Sequence, residues 1–151
     1  MGDGHIMEEK NYAAFLDDFF YSEMGEGERQ NKLLGIGDSK LLHEVMAGYN
    51  WNDGLGIPAL ALEKAECELA TALLIFWQAD GYSYLFGDYD AANGGEKKWA
   101  NFMDKLYRKI CDGKFSPGGV EYKPDLLKSQ VYRIKKHAPD TPDIFFQGTA
   151  P

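Results

Sequence analysis

The stretch Leu69-Ala70-Thr71-Ala72-Leu73-Leu74-Ile75-Phe76-Trp77 decides the fold, because it is the most apolar part of the chain. Its apolar side chains would cover nearly every face of a helix, a pattern typical of a helix that is buried all round. The stretch is too short to span a bilayer, which requires about 20 apolar residues. It therefore predicts the central, buried helix of a soluble domain.

Five further segments have the features of helices. In three of them apolar residues recur every three or four positions, which is the helical period, and the other two begin at a proline suited to a first helical turn. Together with the central stretch they predict an all-α fold, a single compact domain of five or six helices in a helical-hairpin arrangement. The five predicted helices cover residues 8–24, 39–50, 58–65, 96–111 and 124–137.

The remaining segments are less regular. The polar residues 26–32 are interpreted as a linker and residues 115–122 as a turn-rich connector. Residues 82–86 alternate in polarity, which fits either a strand or a continued helix. The predicted boundaries are a leader or disordered N-terminus over residues 1–7, one helical domain over residues 8–138, and a Pro-rich tail over residues 139–151. The tail is expected to be mobile unless Phe145 and Phe146 dock it on the domain.

Charge is distributed unevenly along the chain. The formal net charge is -8, with 17 acidic and 5 basic side chains in residues 1–90 but 7 acidic and 11 basic in residues 91–151. The acidic part would repel a phosphate backbone, which argues against nucleic acid as the main partner. It suits a basic protein partner instead. The alternative is that the acidic residues only keep the protein soluble.

The two cysteines, Cys67 and Cys111, lie far apart and form no CxxC pair. Both fall within apolar helical patterns, so both are predicted to be buried thiols. The first 20 residues are acidic and contain no basic start followed by an apolar run, as a signal peptide would. We therefore predict a cytoplasmic protein with no membrane partner, while its oligomeric state stays open.

The chain carries no recognisable catalytic or metal-binding motif. His43 and the glutamate after it begin like a zinc-protease helix, but the second histidine of HExxH would stand where the chain has Ala47. A calcium-binding EF-hand loop would need glycine and glutamate where the chain has Asn93 and Trp99. We predict no catalytic residue, no metal and no cofactor.

Residues 41–85 resemble a bacterial family of domains of unknown function, DUF4274. The shared pattern consists of Leu42-His43, Tyr49–Gly54, Ile57-Pro58 and Cys67–Tyr82. The chain departs from the family pattern at Asn52, where the family has aspartate, and at Glu68 and Ala70, where it has aspartate and glycine. The resemblance implies a helical domain with no assigned activity. By analogy it also suggests the small proteins found near bacterial secreted toxins and their immunity proteins.

Three hypotheses of function follow. The first is a non-catalytic protein-binding module, for example an immunity-type protein that blocks a basic toxin. The second is an enzyme with a site around His43, Asp53 and Asp80, and the third is a purely structural or oligomerising domain. The candidate binding surface combines aromatic residues, which are enriched at interface cores, with polar turn residues. It consists of Trp51, Asn52, Asp53, Tyr82, Tyr84 and Tyr89. For Tyr82 and Tyr84 we favour a place in the core over a role in binding, and Trp51 suits either.

Overall fold

The computed structural model describes residues 11–90 and 92–149, and every regular element in these ranges is helical. The all-α prediction is confirmed, but the predicted number of five or six helices is wrong. The described residues form nine α-helices, of which seven have at least seven residues. The helices are α1 (Tyr12–Tyr21), α2 (Glu26–Leu34), α3 (Ser39–Ala47), α4 (Gly56–Glu63), α5 (Leu69–Gln78), α6 (Gly81–Phe86), α7 (Gly94–Cys111), α8 (Lys128–His137) and α9 (Ile144–Gln147). The leader predicted over residues 1–7 lies outside the described residues.

Two of the additional helices replace segments that the sequence left irregular or ambiguous. Residues 26–32, interpreted as a linker, belong to α2, which has Glu26 and Glu28 in its first turn and Lys32 in its last. That charge order favours a helix because it complements the helix dipole. Residues 82–86 lie in α6, so the helical alternative is the one that the structure adopts.

The core is built around α5, as the most apolar stretch predicts. All residues of α5 from Ala70 to Phe76 are buried. The helix packs against α3 on one side and α7 on another, while α2 packs on α4 and α6 on α8. The principal contacts therefore join alternate helices and not consecutive ones, which differs from the predicted hairpin arrangement. Each fully buried large side chain, such as Leu73 or Phe76, stabilises the fold by about 1.5–3 kcal/mol.

The connector between α7 and α8 is hydrogen-bonded to the start of α5 and to the C-terminal segment. The amide of Leu69 donates to the carbonyl of Ser116 over 2.8 Å, and the amide of Val120 donates to the Glu68 carboxylate over 2.8 Å. The amide of Thr149 donates to the carbonyl of Tyr122 over 2.8 Å. These contacts hold residues 116–122 outside any regular helix. The helix α8 begins at Lys128, so the predicted start at Pro124 is wrong.

The C-terminal segment packs on the core through α9. Of the two alternatives for the tail, the structure has the docked one, since Phe145 in α9 is fully buried.

Cys67 is buried as predicted, and burial raises the pKa of its thiol to about 12. Cys111 is exposed, so its predicted burial is wrong. The core-facing stripe of α7 ends at Ile110, and the next side chain points away from it.

Candidate functional site: an acidic aromatic cleft

The six residues of the predicted binding surface fall into separate groups. The ring of Trp51 contacts that of Tyr49, with centroids 5.2 Å apart, and Asn52 and Asp53 are exposed in the same short 3-10 turn. Tyr82 instead stacks on Phe86, at 4.7 Å. The structure therefore does not join the turn residues to the tyrosines through ring contacts.

Tyr84 and Tyr89 form a third group around Trp99. Tyr89 lies 5.0 Å from the Trp99 ring and Tyr84 lies 6.3 Å from it. The Tyr84 hydroxyl donates to the Asp104 carboxylate, and burial together with that hydrogen bond raises the pKa of Tyr84 well above its usual value. Since Tyr84 also packs on Phe76, it lies at the margin of the core.

His43, from the enzyme hypothesis, lies on α3 and is buried. Its Nδ1 is 3.0 Å from the Thr71 hydroxyl oxygen in the first turn of α5. Burial lowers the pKa of the imidazole, and the nearby Glu68 carboxylate acts in the opposite direction. Burial therefore favours the neutral imidazole, and the contact with Thr71 fixes the ring between α3 and α5.

Asp80, from the same hypothesis, lies beyond the other end of α5. Its backbone is left-handed, with φ 73°, and its carboxylate accepts hydrogen bonds from the amide of Ser83 at 3.2 Å and from the Ser83 hydroxyl at 2.7 Å. Thr71 and Gln78 are separated by about 10 Å along the helix axis. The structure therefore does not bring His43 and Asp80 together, and the position of Asp80 is that of a helix cap.

Asp53 lines a cleft of about 330 Å³ between the end of α1, the helix α2 and the turn that follows α3. We call it the acidic aromatic cleft. Apart from Asp53, sequence reasoning did not assign its lining residues to a site. They are Phe19, Phe20, Tyr21, Arg29, Gly48, Tyr49 and Asn50.

Four of the eight residues that line this cleft are aromatic. Phe19 is fully buried and meets the edge of Phe20, with centroids 5.3 Å apart. A Cβ at Gly48 would lie 3.1 Å from the Phe20 ring, so glycine lets this ring lie close to the backbone. Tyr21 at the rim is 81% exposed, an unusual degree for a large aromatic side chain.

Arg29, which lines the cleft, connects α2 to α1. Its Nε donates to the carbonyl of Phe19 over 3.1 Å, and its guanidinium carbon lies 5.7 Å from the centroid of the Phe19 ring. Asp18 pairs with Lys32 and accepts a hydrogen bond from Ser22, which lowers the pKa of the Asp18 carboxyl. Asp18 and Lys32 therefore neutralise each other within the protein.

Acidic side chains outnumber basic ones around the cleft, and the charged residues that line it are Asp53 and Arg29. Tyr49 is buried and its hydroxyl donates to the carbonyl of Gly54 over 2.6 Å. Burial raises the pKa of Tyr49 to about 12, with the Asp53 and Glu26 carboxylates adding to the effect and Arg29 opposing it. Residues 12–53 as a whole carry eight acidic and three basic side chains. Ring faces beside a carboxylate are an arrangement that attracts cations.

Within the described ranges, no three histidine, cysteine, aspartate or glutamate side chains lie close enough together to hold a metal ion. In the same residues, none of the helices combines the length and the apolar character needed to cross a membrane.

Comparison with known proteins gives one match. Residues 37–111 match the family model described as Domain of unknown function (DUF4274). No curated protein and no solved structure matches the chain. The matched range includes the buried helix α5, the turn that carries Asp53 and the whole of α7. The chain therefore belongs to the DUF4274 family through its segment 37–111.

Proposed function

We propose that the protein is a non-catalytic module that binds another protein, and that the acidic aromatic cleft receives a basic side chain of this partner. The observation that carries the proposal is the position of Asp53 beside Tyr49 and the exposed Tyr21 in one cleft. A lysine or arginine side chain can place its charge against the carboxylate and its aliphatic part against the rings. Aromatic pockets of this kind are frequent centres of protein interfaces.

The charge of the surrounding surface supports the same kind of partner. Asp17 and Glu23 flank the aromatic end of α1 and are exposed, and Glu26 begins α2 nearby. A field of one sign around a binding site accelerates the encounter with a partner of opposite sign. This electrostatic acceleration of the encounter should become weaker as salt is added.

The cleft is also held in shape before a partner arrives. Arg29 links α1 to α2, the Tyr49 hydroxyl is bonded to Gly54, and the side chain of Asn50 accepts from the amide of Asn52 over 3.0 Å. A wall that is already ordered loses little conformational entropy on binding. A site of this kind can act by binding a partner and needs no catalytic group.

Our more specific proposal is an immunity-type protein that blocks a basic toxin by occlusion. Such a protein would act in the cytoplasm, where both thiols of this chain would stay reduced. Cys67 and Cys111 are free cysteines, which agrees with a reducing compartment.

The experiment is co-expression with the product of each neighbouring gene, scored by survival, followed by affinity measurements on any purified complex. The cleft variant combines Asp17→Asn, Glu23→Gln and Asp53→Asn. The control makes the same change in net charge at exposed residues away from the cleft, and combines Asp88→Asn, Asp112→Asn and Asp125→Asn. We expect the cleft variant to lose affinity by about tenfold or more and the control to change little.

Two outcomes would count against the proposal. Absence of protection by the parent protein against every neighbouring gene product would remove the immunity role. Full protection by the cleft variant, with unchanged affinity, would show that the acidic aromatic cleft is not the binding site.

A further inference from the structure

A second cleft, of about 380 Å³, lies between α2, α4 and α7. We call it the α4–α7 cleft. The helix α2 forms a wall of both clefts, because Arg29 lines the acidic aromatic cleft and its neighbour Gln30 lines this one. The volume is at the lower end of the range for small-molecule sites.

The walls of the α4–α7 cleft are mostly apolar. Ala59 and Leu60 come from α4, and Phe102 and Leu106 come from α7. Leu60 and Phe102 are only partly buried, so part of their apolar surface faces the open space of the cleft. An apolar chain placed there would remove this surface from water, which is favourable by about 25 cal/mol for each Å².

One side of the cleft is cationic. Lys105 and Lys109 are one turn apart on α7 and both line the cleft. The Lys109 ammonium is 3.3 Å from the Glu63 carboxylate and lies 4.9 Å from the centroid of the Phe115 ring. Among the described residues Lys105 has no ion-pair partner, which leaves one positive charge in excess at this side.

The geometry points to a site for an amphiphilic carboxylate. Its apolar chain would lie between Leu60 and Phe102, and its carboxylate would pair with Lys105 and Lys109. The cleft follows α4 from Gly56 to Glu63, a distance of about 10 Å, which suits a chain of medium length. The Glu63 carboxylate forms an ion pair with the Lys109 ammonium. We expect the ligand carboxylate to form an ion pair of the same kind with this ammonium group.

The test uses decanoate as the probe and decanamide as its uncharged analogue, both titrated by calorimetry. Ala59→Trp would fill the cleft from an exposed position, and we expect it to abolish binding of both compounds. Lys105→Met should weaken decanoate by about two- to fivefold, the effect of a solvent-exposed ion pair, and leave decanamide unchanged. Glu63→Gln should strengthen decanoate, because it removes the carboxylate that competes for Lys109.

Lys98→Met is the matched control, since Lys98 is exposed on α7 and does not line the cleft. Thermal unfolding of each variant establishes that it is folded. The inference is overturned if decanoate does not bind the parent protein at millimolar concentration. It is also overturned if Ala59→Trp binds decanoate as the parent does, or if Lys105→Met and Lys98→Met have equal effects.

Discussion

The indole Nε1 of Trp77 donates a hydrogen bond of 2.9 Å to the carbonyl oxygen of Phe145, 68 positions further along the chain. The Phe145 ring lies 4.9 Å from that of Phe76 and 4.9 Å from that of Tyr107. The short helix α9 thus covers one side of the central helix α5. The C-terminal segment is part of the core on which the position of the other helices depends.

Replacing Phe145 by alanine should therefore destabilise the whole domain. We expect Phe145→Ala to lower the free energy of unfolding by about 3–5 kcal/mol, because it removes a fully buried ring and leaves a cavity. Urea unfolding followed by circular dichroism measures the change. Gln147→Ala, at an exposed position of the same helix, should change the stability by less than about 0.5 kcal/mol. Equal effects of the two substitutions would contradict a core position for α9.

Gly81 is needed where α6 begins, because the chain passes very close to α5. A Cβ there would lie 2.3 Å from Cε2 of Phe76 and 2.9 Å from its carbonyl oxygen. Since the backbone oxygen cannot move aside, Gly81→Ala should destabilise the domain by about 1–3 kcal/mol. Gly94→Ala is the comparison, because a Cβ at Gly94 would meet nothing within 4 Å and the residue lies in a helix. Thermal melts in which Gly81→Ala is as stable as Gly94→Ala would refute this packing.

Asp80 has a left-handed backbone conformation, and its side chain caps the N-terminus of α6. Asparagine can replace it in both respects, since it tolerates this backbone conformation and accepts the same hydrogen bonds. We expect Asp80→Asn to be nearly as stable as the parent, whereas Asp80→Ala should lose about 1–2 kcal/mol. Differential scanning calorimetry of the two variants measures this difference. A charge-dependent role, as in the enzyme hypothesis, would make Asp80→Asn as damaging as Asp80→Ala in a functional assay.

His43 makes stability depend on pH in mildly acidic solution. Its pKa is lower in the folded protein than its ordinary value of 6.5, mainly because of burial. The unfolded chain therefore takes up the proton first, and the free energy of unfolding should fall as the pH drops below about 6.5. The ionisable groups around His43 are Glu68 and, at the adjoining surface, Lys40, Glu44 and Glu121. Urea unfolding between pH 7.5 and 5 should show a smaller fall for His43→Gln than for the parent, and parallel curves would contradict this account.

The sequence predicts the core more successfully than the helices around it. The apolar run from Leu69 identifies α5 because its apolar character alone determines burial. The helix α2 was missed because it has a single buried residue, Leu33, and is stabilised by packing on α4. The late start of α8 follows from contacts of Tyr122 with Thr149, which are distant in sequence and leave no local signal.

The site was predictable only in part. Asp53 was identified from the turn chemistry of residues 50–54, and the structure places it in a cleft. Phe20 and Tyr21 were not assigned to the site, although a signal was present. Three consecutive aromatic residues, Phe19 to Tyr21, cannot all face the same side of a helix, so at least one must lie near the surface. The partition of the tyrosines into separate groups depends on α6 and α7, whose packing the local sequence does not encode.

The central claim, that the acidic aromatic cleft receives a basic side chain, can be tested without the natural partner. The measurement is a titration with butylguanidinium, which mimics an arginine side chain, followed by the amide chemical shifts of ¹⁵N-labelled protein. We expect saturable shifts concentrated at Phe20, Tyr21, Gly48 and Tyr49, weaker at high salt and much reduced in Asp53→Asn. Shifts spread evenly over the acidic surface, or shifts at the cleft that Asp53→Asn leaves unchanged, would contradict the claim.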